Sequence, residues 1–576
     1  MIRPLGARSD STAFQESART VAPTAEEAVK KSGLWRNSNF SAFAFLCVSE
    51  EDRTGTGLDN AVEDGDRLPR LRVVNRSQMC WHVLDVERLI EDDHPARAVW
   101  ELVGGLELTS FLVPIGSVEG QAGRPAFDPQ LLISVWLYAY SRGISSAREI
   151  ARRCEYEPAF QWLTGLGVVN HHTLSDFRIE HRAALDELFT QVLAVLSAES
   201  LITLERVMHD GTKVYANAGK SSFCTKKRIE EHLKIAREHV AAMGEPDTAE
   251  LSEPRRSKAR ERARREREQR LVHALSEYEK IQRSKRPGYN RTSKQRTGAS
   301  ISDPEARIMK HSSAPCALSY NVQVSTDAAA GIVIGIDASQ TVPDYEHLVP
   351  ALKQIEERLG KRPKQIVVDA GYTSRENVLA LDQWGITMFG RSVQPDGRVR
   401  QRFARCGVTD GFLPDDFRFD SNTNTFVCPE GKVLRPRVPT ERPGRTMIRY
   451  QAKSTDCKVC PQRGQCCSGN TRYGRSIVVT KENPVVTTFR ARTASVEGKA
   501  ALKQRSAVAE FVNAWLKEKL GLRRFRVRGL AKIRTEAMWA ALTYNVQQWI
   551  RLRWCPLRRT IPATLGCAPY RATAGT

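Results

Sequence analysis

Three acidic residues and a group of cysteines are the side chains in this sequence best placed to do chemistry. Asp210 lies in Arg206-Val207-Met208-His209-Asp210-Gly211-Thr212-Lys213, behind the strand formers Leu201-Ile202-Thr203-Leu204. The glycine interrupts the pattern, so the stretch predicts a strand that ends on a carboxylate. Gln365-Ile366-Val367-Val368-Asp369-Ala370-Gly371-Tyr372 repeats the design, and its run of β-branched residues predicts a strand buried on both faces. Two such strands delivering aspartates to a sheet end suit a divalent cation. The competing reading has each aspartate merely capping a following helix. A third acid, Glu510, falls in a predicted helix over 503–520. Val508, Phe511, Val512 and Trp515 recur there at i, i+3, i+4, i+7 as one apolar face, which leaves Glu510 and Lys517 on the opposite one. Its rivals are Glu497, beside the helix-loosening Gly498, and Glu518, which points toward the packed face.

The cysteines form a second constellation. Cys428-Pro429-Glu430-Gly431 is followed by Cys457-Lys458-Val459-Cys460-Pro461 and then by Cys466-Cys467. Cys428, Cys457, Cys460 and Cys466 can supply four thiolates for a tetrahedral structural zinc, with Cys467 spare. Four thiolates would leave no open position, so such a metal holds structure and does no catalysis. Unlinked thiols are the alternative, and the odd total of 13 cysteines argues against a disulfide framework.

These residues need elements to position them. Residues 1–78 show no sustained period and read as disordered or as an extension. Over 79–200, helices are expected after Asp128-Pro129, over Ser145 to Cys154 and after Thr173, with arginines between them. Such a set is either a helix-turn-helix-like DNA reader or a helical bundle with a basic outer face. Residues 201–390 read as strand, strand, strand, helix, strand, helix, strand. A charged helical insertion at about 220–300 interrupts them, with a hairpin turn near Gly244 and Pro246. Arginine outweighs glutamate around 255–265, which favours phosphate contact over a merely solvated face. The cysteines lie in a second insertion, 391–495. Residues 496–556 return to the main fold through the Glu510 helix, the basic segment 521–529 and a helix over 532–554 with Trp539, Leu542, Val546 and Trp549 on one stripe. Residues 557–576 form a tail.

The whole chain of 576 residues carries 88 Lys and Arg against 66 Asp and Glu, a net charge of +22. That excess predicts a polyanionic partner, since each phosphate contact releases counterions. Nucleic acid is favoured over membrane, because no apolar run approaches the roughly 20 residues needed to span one. Nothing near the front reads as an export signal.

Several stretches, in order, resemble a known family. They are Phe127-Asp128-Pro129 with Leu131-Leu132, Ser145 to Ile150, Phe160 to Gly165, Asp210-Gly211-Thr212-Lys213, Ser302-Asp303-Pro304-Glu305-Ala306, Tyr320-Asn321-Val322-Gln323, Val368 to Tyr372, Arg505 to Lys517, and Arg528-Gly529-Leu530. Over about 80–555 the chain resembles a bacterial insertion-sequence transposase of the DDE class. The resemblance implies a ribonuclease-H-like mixed α/β sheet with flanking helices, to which the residue patterns add an N-terminal all-α DNA-binding domain and a small zinc-ribbon-like insertion. It implies Asp210, Asp369 and Glu510 as the catalytic triad, holding magnesium or manganese, and Lys517 as the basic residue that follows the glutamate. Arg505, Lys213, Arg524, Arg526 and Arg528 are the further candidate DNA contacts. The implied substrates are double-stranded terminal repeats and target DNA, cut by hydrolysis and joined by transesterification in a bacterial, nucleoid-associated homo-oligomer. The sequence departs from the family pattern at Phe511, where many relatives carry proline, and at Leu502 and Lys503, where a tyrosine is usual. A DNA-binding regulator without catalysis and a nuclease that cuts without joining are the alternatives.

Overall fold

The structure is a computed structural model that describes residues 83–117, 125–242, 254–284, 297–311, 315–391, 403–467 and 473–560. The expectation for 1–78, the turn near Gly244 and Pro246, and most of the tail lie outside these residues.

At the centre stands a six-stranded mixed sheet. Strand β1 (Arg206–Tyr215) pairs antiparallel with β2 (Ala317–Asp327), which pairs antiparallel with β3 (Val333–Ser339). On its other side β1 pairs parallel with β4 (Gln365–Val368), and β4 with β5 (Thr387–Gly390). The short strand Arg307–Met309 extends the β2 edge. Ile366, Val367 and Val368 are all buried, as a strand covered on both faces requires. The strand expected to stop at Asp210 instead runs through Gly211 to Tyr215, so Asp210 sits in mid-strand.

The described helices before β1 include α1 (Pro95–Gly104), α2 (Pro129–Ser141), α3 (Ala147–Tyr156), α4 (His171–Glu180) and α5 (Arg182–Ala198). Asp128 caps α2 through its carboxylate and Pro129 fills the first turn, the expected start signal. The connection after β1 contains α6 (Lys226–Ala241) and α7 (Pro254–Ser284), which pack through Ile229, Leu233, Ala236, Leu271 and Ala274. Helix α8 (Leu348–Leu359) leads to β4, and α9 (Arg375–Gln383) joins β4 to β5. The cysteine-bearing insertion has its own six-stranded sheet, in which the long strands Arg445–Ala452 and Ser476–Glu482 pair antiparallel. The chain returns through α10 (Pro484–Ala494), α11 (Val496–Glu518) and α12 (Leu530–Trp549).

Helix α12 joins these parts. It is buried on nearly every side rather than along one stripe, and α2, α4, α5 and the sheet share one continuous apolar core with it. Trp539 donates its indole N–H to Arg178 O of α4 (3.2 Å) and stacks on Tyr140 of α2. Its Asn545 amide satisfies the edge strand β3 in both senses, accepting from Val333 N (2.9 Å) and donating to Val333 O (2.8 Å). At the helix start, Asp303 and Glu305 accept from the backbone N–H groups of Gly529 and Leu530. Two motifs far apart in the chain thus form one cap. Gly529 has a positive φ of 86°, where a side chain would be strained and would crowd Glu305.

Replacing Asn545 with leucine strands the N–H and C=O of Val333 in an apolar site. Each orphaned group costs about 1–3 kcal/mol. Urea denaturation of Asn545→Leu is expected to show a lower midpoint at unchanged slope, and an unchanged midpoint would refute the role of this amide.

Candidate active site and cysteine cluster

The geometry of the site starts from a register. Met208 stands beside Val367 and His209 beside Val368 in the parallel β1–β4 pair. Side chains alternate along each strand, so Asp210 follows Met208 on one face and Asp369 follows Val367 on the same face. Continuing the register puts the two aspartates next to each other. Below them Met208, Val367 and Phe389 pack on Ala501 and Ala509 of α11.

Helix capping does not account for either aspartate. Asp210 is inside a strand, and Asp369 precedes a short 3₁₀ turn without making a side-chain capping bond. Asp369 is exposed. Asp210 is mostly buried and is held on all sides. Its Oδ1 accepts from Gly211 N (2.9 Å) and pairs with the Arg505 guanidinium at 3.0 Å, and its Oδ2 accepts from Asn513 Nδ2 (3.1 Å). Burial raises the Asp210 carboxyl above the usual range, Arg505 and the Gly211 N–H oppose that, and the neighbouring Asp369 charge adds to it. Asn513 Oδ1 and Arg505 Nε are buried beside this carboxylate with no partner among the described residues.

Ser495 caps α11 by accepting from Gly498 N (3.2 Å). Gly498, Ala501, Ala509, Val512 and Leu516 form its buried face. A Cβ on Gly498 would lie 2.4 Å from Thr493 O, so glycine is required by the approach of the preceding helix. The helix is therefore turned from the orientation expected of its apolar stripe: Phe511 is half exposed, and small residues meet the sheet instead. Phe511 packs on Trp515, whose indole N–H donates to Gln547 of α12 (2.9 Å).

The rotation bears on the third acid. Glu497 lies at the far end of the strands, with Gln365 Nε2 3.3 Å from its carboxylate and Arg206 3.8 Å away. Glu518 pairs with Arg523. Glu510 is exposed, and its carboxylate has no hydrogen bond or ion pair among the described residues. It lies one turn before Asn513, which touches Asp210, and two turns before Lys517. Lys517 is half-buried: burial and the nearby Arg523 lower its ammonium pKa, while the Asp210 charge opposes the shift. Asn513 and Lys517 thus lie on the flank toward Asp210, and helical spacing puts Glu510 on the same side of the helix as these two.

The other basic candidates are also placed. Lys213 donates to Asp344 Oδ1 (2.8 Å). Arg524 lies over the Tyr215 ring and donates to Ala216 O, Arg528 donates to Asn217 O, and Arg526 reaches Ser145 Oγ at 3.4 Å. Arg270 of α7 lies near Arg528 and Arg267; burial first, then these two cations, lower its pKa. Asn513 and Asp344 escaped sequence reasoning. Asn513 carries a weak signal as a polar residue one turn from Glu510, whereas nothing adjacent in sequence to Asp344 points to its partners Lys213 and Asn321.

In the insertion, Cys428, Cys457, Cys460, Cys466 and Cys467 line one small cavity. Cys428 Sγ accepts from Lys432 N (3.2 Å) and Cys457 Sγ from Arg475 N (3.3 Å). Cys467 lies against Cys457 and Cys466, and burial pushes the Cys466 thiol up to about 12. The buried Arg475 guanidinium beside them would be the countercharge for thiolates. The donor chemistry suits zinc at the cysteines and a hard cation at the carboxylates. Among the described residues, however, no group of three or more His, Cys, Asp or Glu is arranged to hold a metal ion.

Comparison with known proteins agrees with the two ends of the described chain. Residues 84–180 match a family model described as a transposase domain, and residues 427–550 match one described as a transposase DDE domain. No curated protein matches the chain.

Arg505 and Asp210 are both largely buried, at 11% and 17% side-chain exposure, so removing one partner leaves the other uncompensated. Arg505→Ala is expected to destabilise the protein by about 3 kcal/mol, and Arg505→Ala with Asp210→Asn by clearly less than the sum of the single changes. A double-mutant cycle in urea checks this; strict additivity would show that the pair is not coupled.

Proposed function

We propose that this chain cuts DNA at the ends of an insertion sequence and joins those ends to target DNA, a reading supported by the match of residues 84–180 to a transposase domain and of residues 427–550 to a transposase DDE domain. The observation that carries this reading is the parallel register of β1 with β4, which leads in step to Asp210 and Asp369 on a sheet face packed against the helix that bears Glu510. The strand order, with β1 central, β2 and β3 antiparallel on one side and β4 and β5 parallel on the other, supports the ribonuclease-H-like description.

Asp210, Asp369 and Glu510 would hold magnesium or manganese, which when bound polarises a phosphodiester and activates water. The protein's own part is to position and to exclude. Arg505 and Asn513 orient the Asp210 oxygens. Lys517, beside the carboxylates, offers its ammonium to the phosphate. The basic segment 523–528 and the α6–α7 arm, where Arg270 and Arg528 crowd each other, neutralise the duplex backbone. The 3′-hydroxyl freed by hydrolysis then attacks a target phosphodiester at the same site, and no protein nucleophile is needed. We place this activity in a nucleoid-associated homo-oligomer bound to terminal repeats in the bacterial cytoplasm. In the insertion, Cys428, Cys457, Cys460 and Cys466 would hold a structural zinc, with Cys467 the neighbouring fifth thiol.

Glu510→Gln, Asp210→Asn and Asp369→Asn are each expected to abolish magnesium-dependent cleavage of terminal-repeat DNA while leaving DNA binding near that of the parent. A Glu510→Gln protein that cuts normally, alongside an inactive Glu497→Gln or Glu518→Gln protein, would remove Glu510 from the site. Changing Arg524, Arg526 and Arg528 to glutamine should flatten the plot of log affinity against log salt by about 0.9 for each phosphate that is no longer neutralised. Metal analysis of reduced, chelator-free protein should find one zinc, absent from Cys457→Ser and Cys460→Ser; a zinc-free parent would refute the cysteine assignment.

A further inference from the structure

The β1–β4 ladder ends one residue before the aspartates: its last pair is His209 with Val368. The ladder thus brings the two strands up to the aspartates in step, but among the described residues no strand pair includes Asp369 itself, and two like charges repel. The face of β1 opposite Asp210 supplies a connection. There His209, Gly211 and Lys213 stand across from Ser325, Gln323 and Asn321 of β2, and these three β2 residues are all buried. Gln323 and Asn321 belong to the Tyr320-Asn321-Val322-Gln323 motif, whose purpose the active-site reading leaves unexplained.

Their bonds form a continuous chain. Tyr372, in the turn that follows Asp369, donates its hydroxyl to Gln323 Oε1 (2.5 Å), and His209 Nε2 lies 3.1 Å from the same oxygen. His209 Nδ1 meets Ser325 Oγ at 2.8 Å. Gln323 Nε2 donates to Asn321 Oδ1 (2.9 Å), Asn321 Nδ2 to Asp344 Oδ1 (2.9 Å), and Lys213 Nζ to that same carboxylate oxygen. Gly211 is the slot through which this passes: a Cβ there would lie 2.6 Å from both the Tyr372 hydroxyl and Gln323 Nε2, and 3.1 Å from Asp344 Oδ1. The Asn377 amide pins the Tyr372 carbonyl from the other side (2.9 Å).

We infer that the Tyr372–Gln323 bond, braced by Asn321, Asp344 and Lys213, is a clamp that sets the separation of Asp210 and Asp369 and so the affinity of the site for its divalent cation. Tyr372, Gln323 and Asp344 are positioning residues: they act through the backbone on either side of the two aspartates and do not face the substrate. The inference rests on the proposed metal-dependent reading of the carboxylates.

The full-length protein tests it, with manganese alone as the probe. Mn²⁺ binding is measured by calorimetry or electron paramagnetic resonance on the parent, Asp210→Asn, Tyr372→Phe and Gly211→Ala, beside thermal unfolding and DNA binding. Tyr372→Phe removes one hydroxyl and keeps the ring. It is expected to fold and to bind DNA as the parent does, but to bind Mn²⁺ about tenfold more weakly, within the range for loss of a group that orients a metal ligand. Its cleavage should recover as Mn²⁺ is raised, which a variant damaged in folding would not show. Gly211→Ala should weaken Mn²⁺ binding in the same direction by closing the slot. A folded Tyr372→Phe protein with parental Mn²⁺ affinity, where Asp210→Asn has lost it, would overturn the clamp alone. A parent that binds DNA but no Mn²⁺ would overturn the metal reading and the clamp together.

Discussion

The arrangement depends on a ladder of four residue pairs. Among the described residues, parallel pairing of β1 with β4 is the sheet connection between the strand that carries Asp210 and the one that leads to Asp369. Because side chains alternate, a slip of one residue in that register would send Asp369 to the opposite face from Asp210. The β-branched run Ile366-Val367-Val368, buried on both sides, resists such a slip, since each face has its own partners. Met208 and Val367 meet α11, while Val207, Ile366 and Val368 enter the main core. The hydrophobic effect thus sets the position of the charges.

Helix α11 then sets how closely a third group can approach. Alanines at 501 and 509 bring its backbone near the sheet, where larger residues would hold it off. Arg505, between the two alanines, and Asn513, one turn beyond Ala509, converge on the Asp210 carboxylate. Helix α12 bears on the sheet from another direction and also on the helices that precede β1. These helices share its core, so they are built into the same body as the sheet.

Much of this was legible in the sequence, because strands and long helices announce themselves through burial periodicity. The strands that lead to the two aspartates and the helices after Pro129, over Ala147 and after Leu530 follow from that signal. The orientation of α11 does not. Its aromatic stripe is apolar because Phe511 and Trp515 pack on each other and toward α12, whereas the sheet contact uses alanines, which leave little trace in a hydropathy pattern. Gly211 misleads for a related reason. It looks like a strand break, yet the strand continues and the missing side chain makes room for Tyr372. Asp344 was hidden because the residues that give it meaning, Lys213 and Asn321, are distant in sequence.

The order of these elements along the chain also affects synthesis. Strand β1 emerges early, but its Asp210 is balanced by Arg505 and Asn513, which follow roughly three hundred residues later, on the order of 15–60 seconds at elongation rates of about 5–20 residues per second. The edge of β3 likewise waits for Asn545. Through that interval the ribosome holds a sheet with an open edge and an unbalanced acid. Contacts of such long range close slowly and leave strand edges open to misassociation. A truncated product ending before α11 would therefore lack the whole helix side of the carboxylate site.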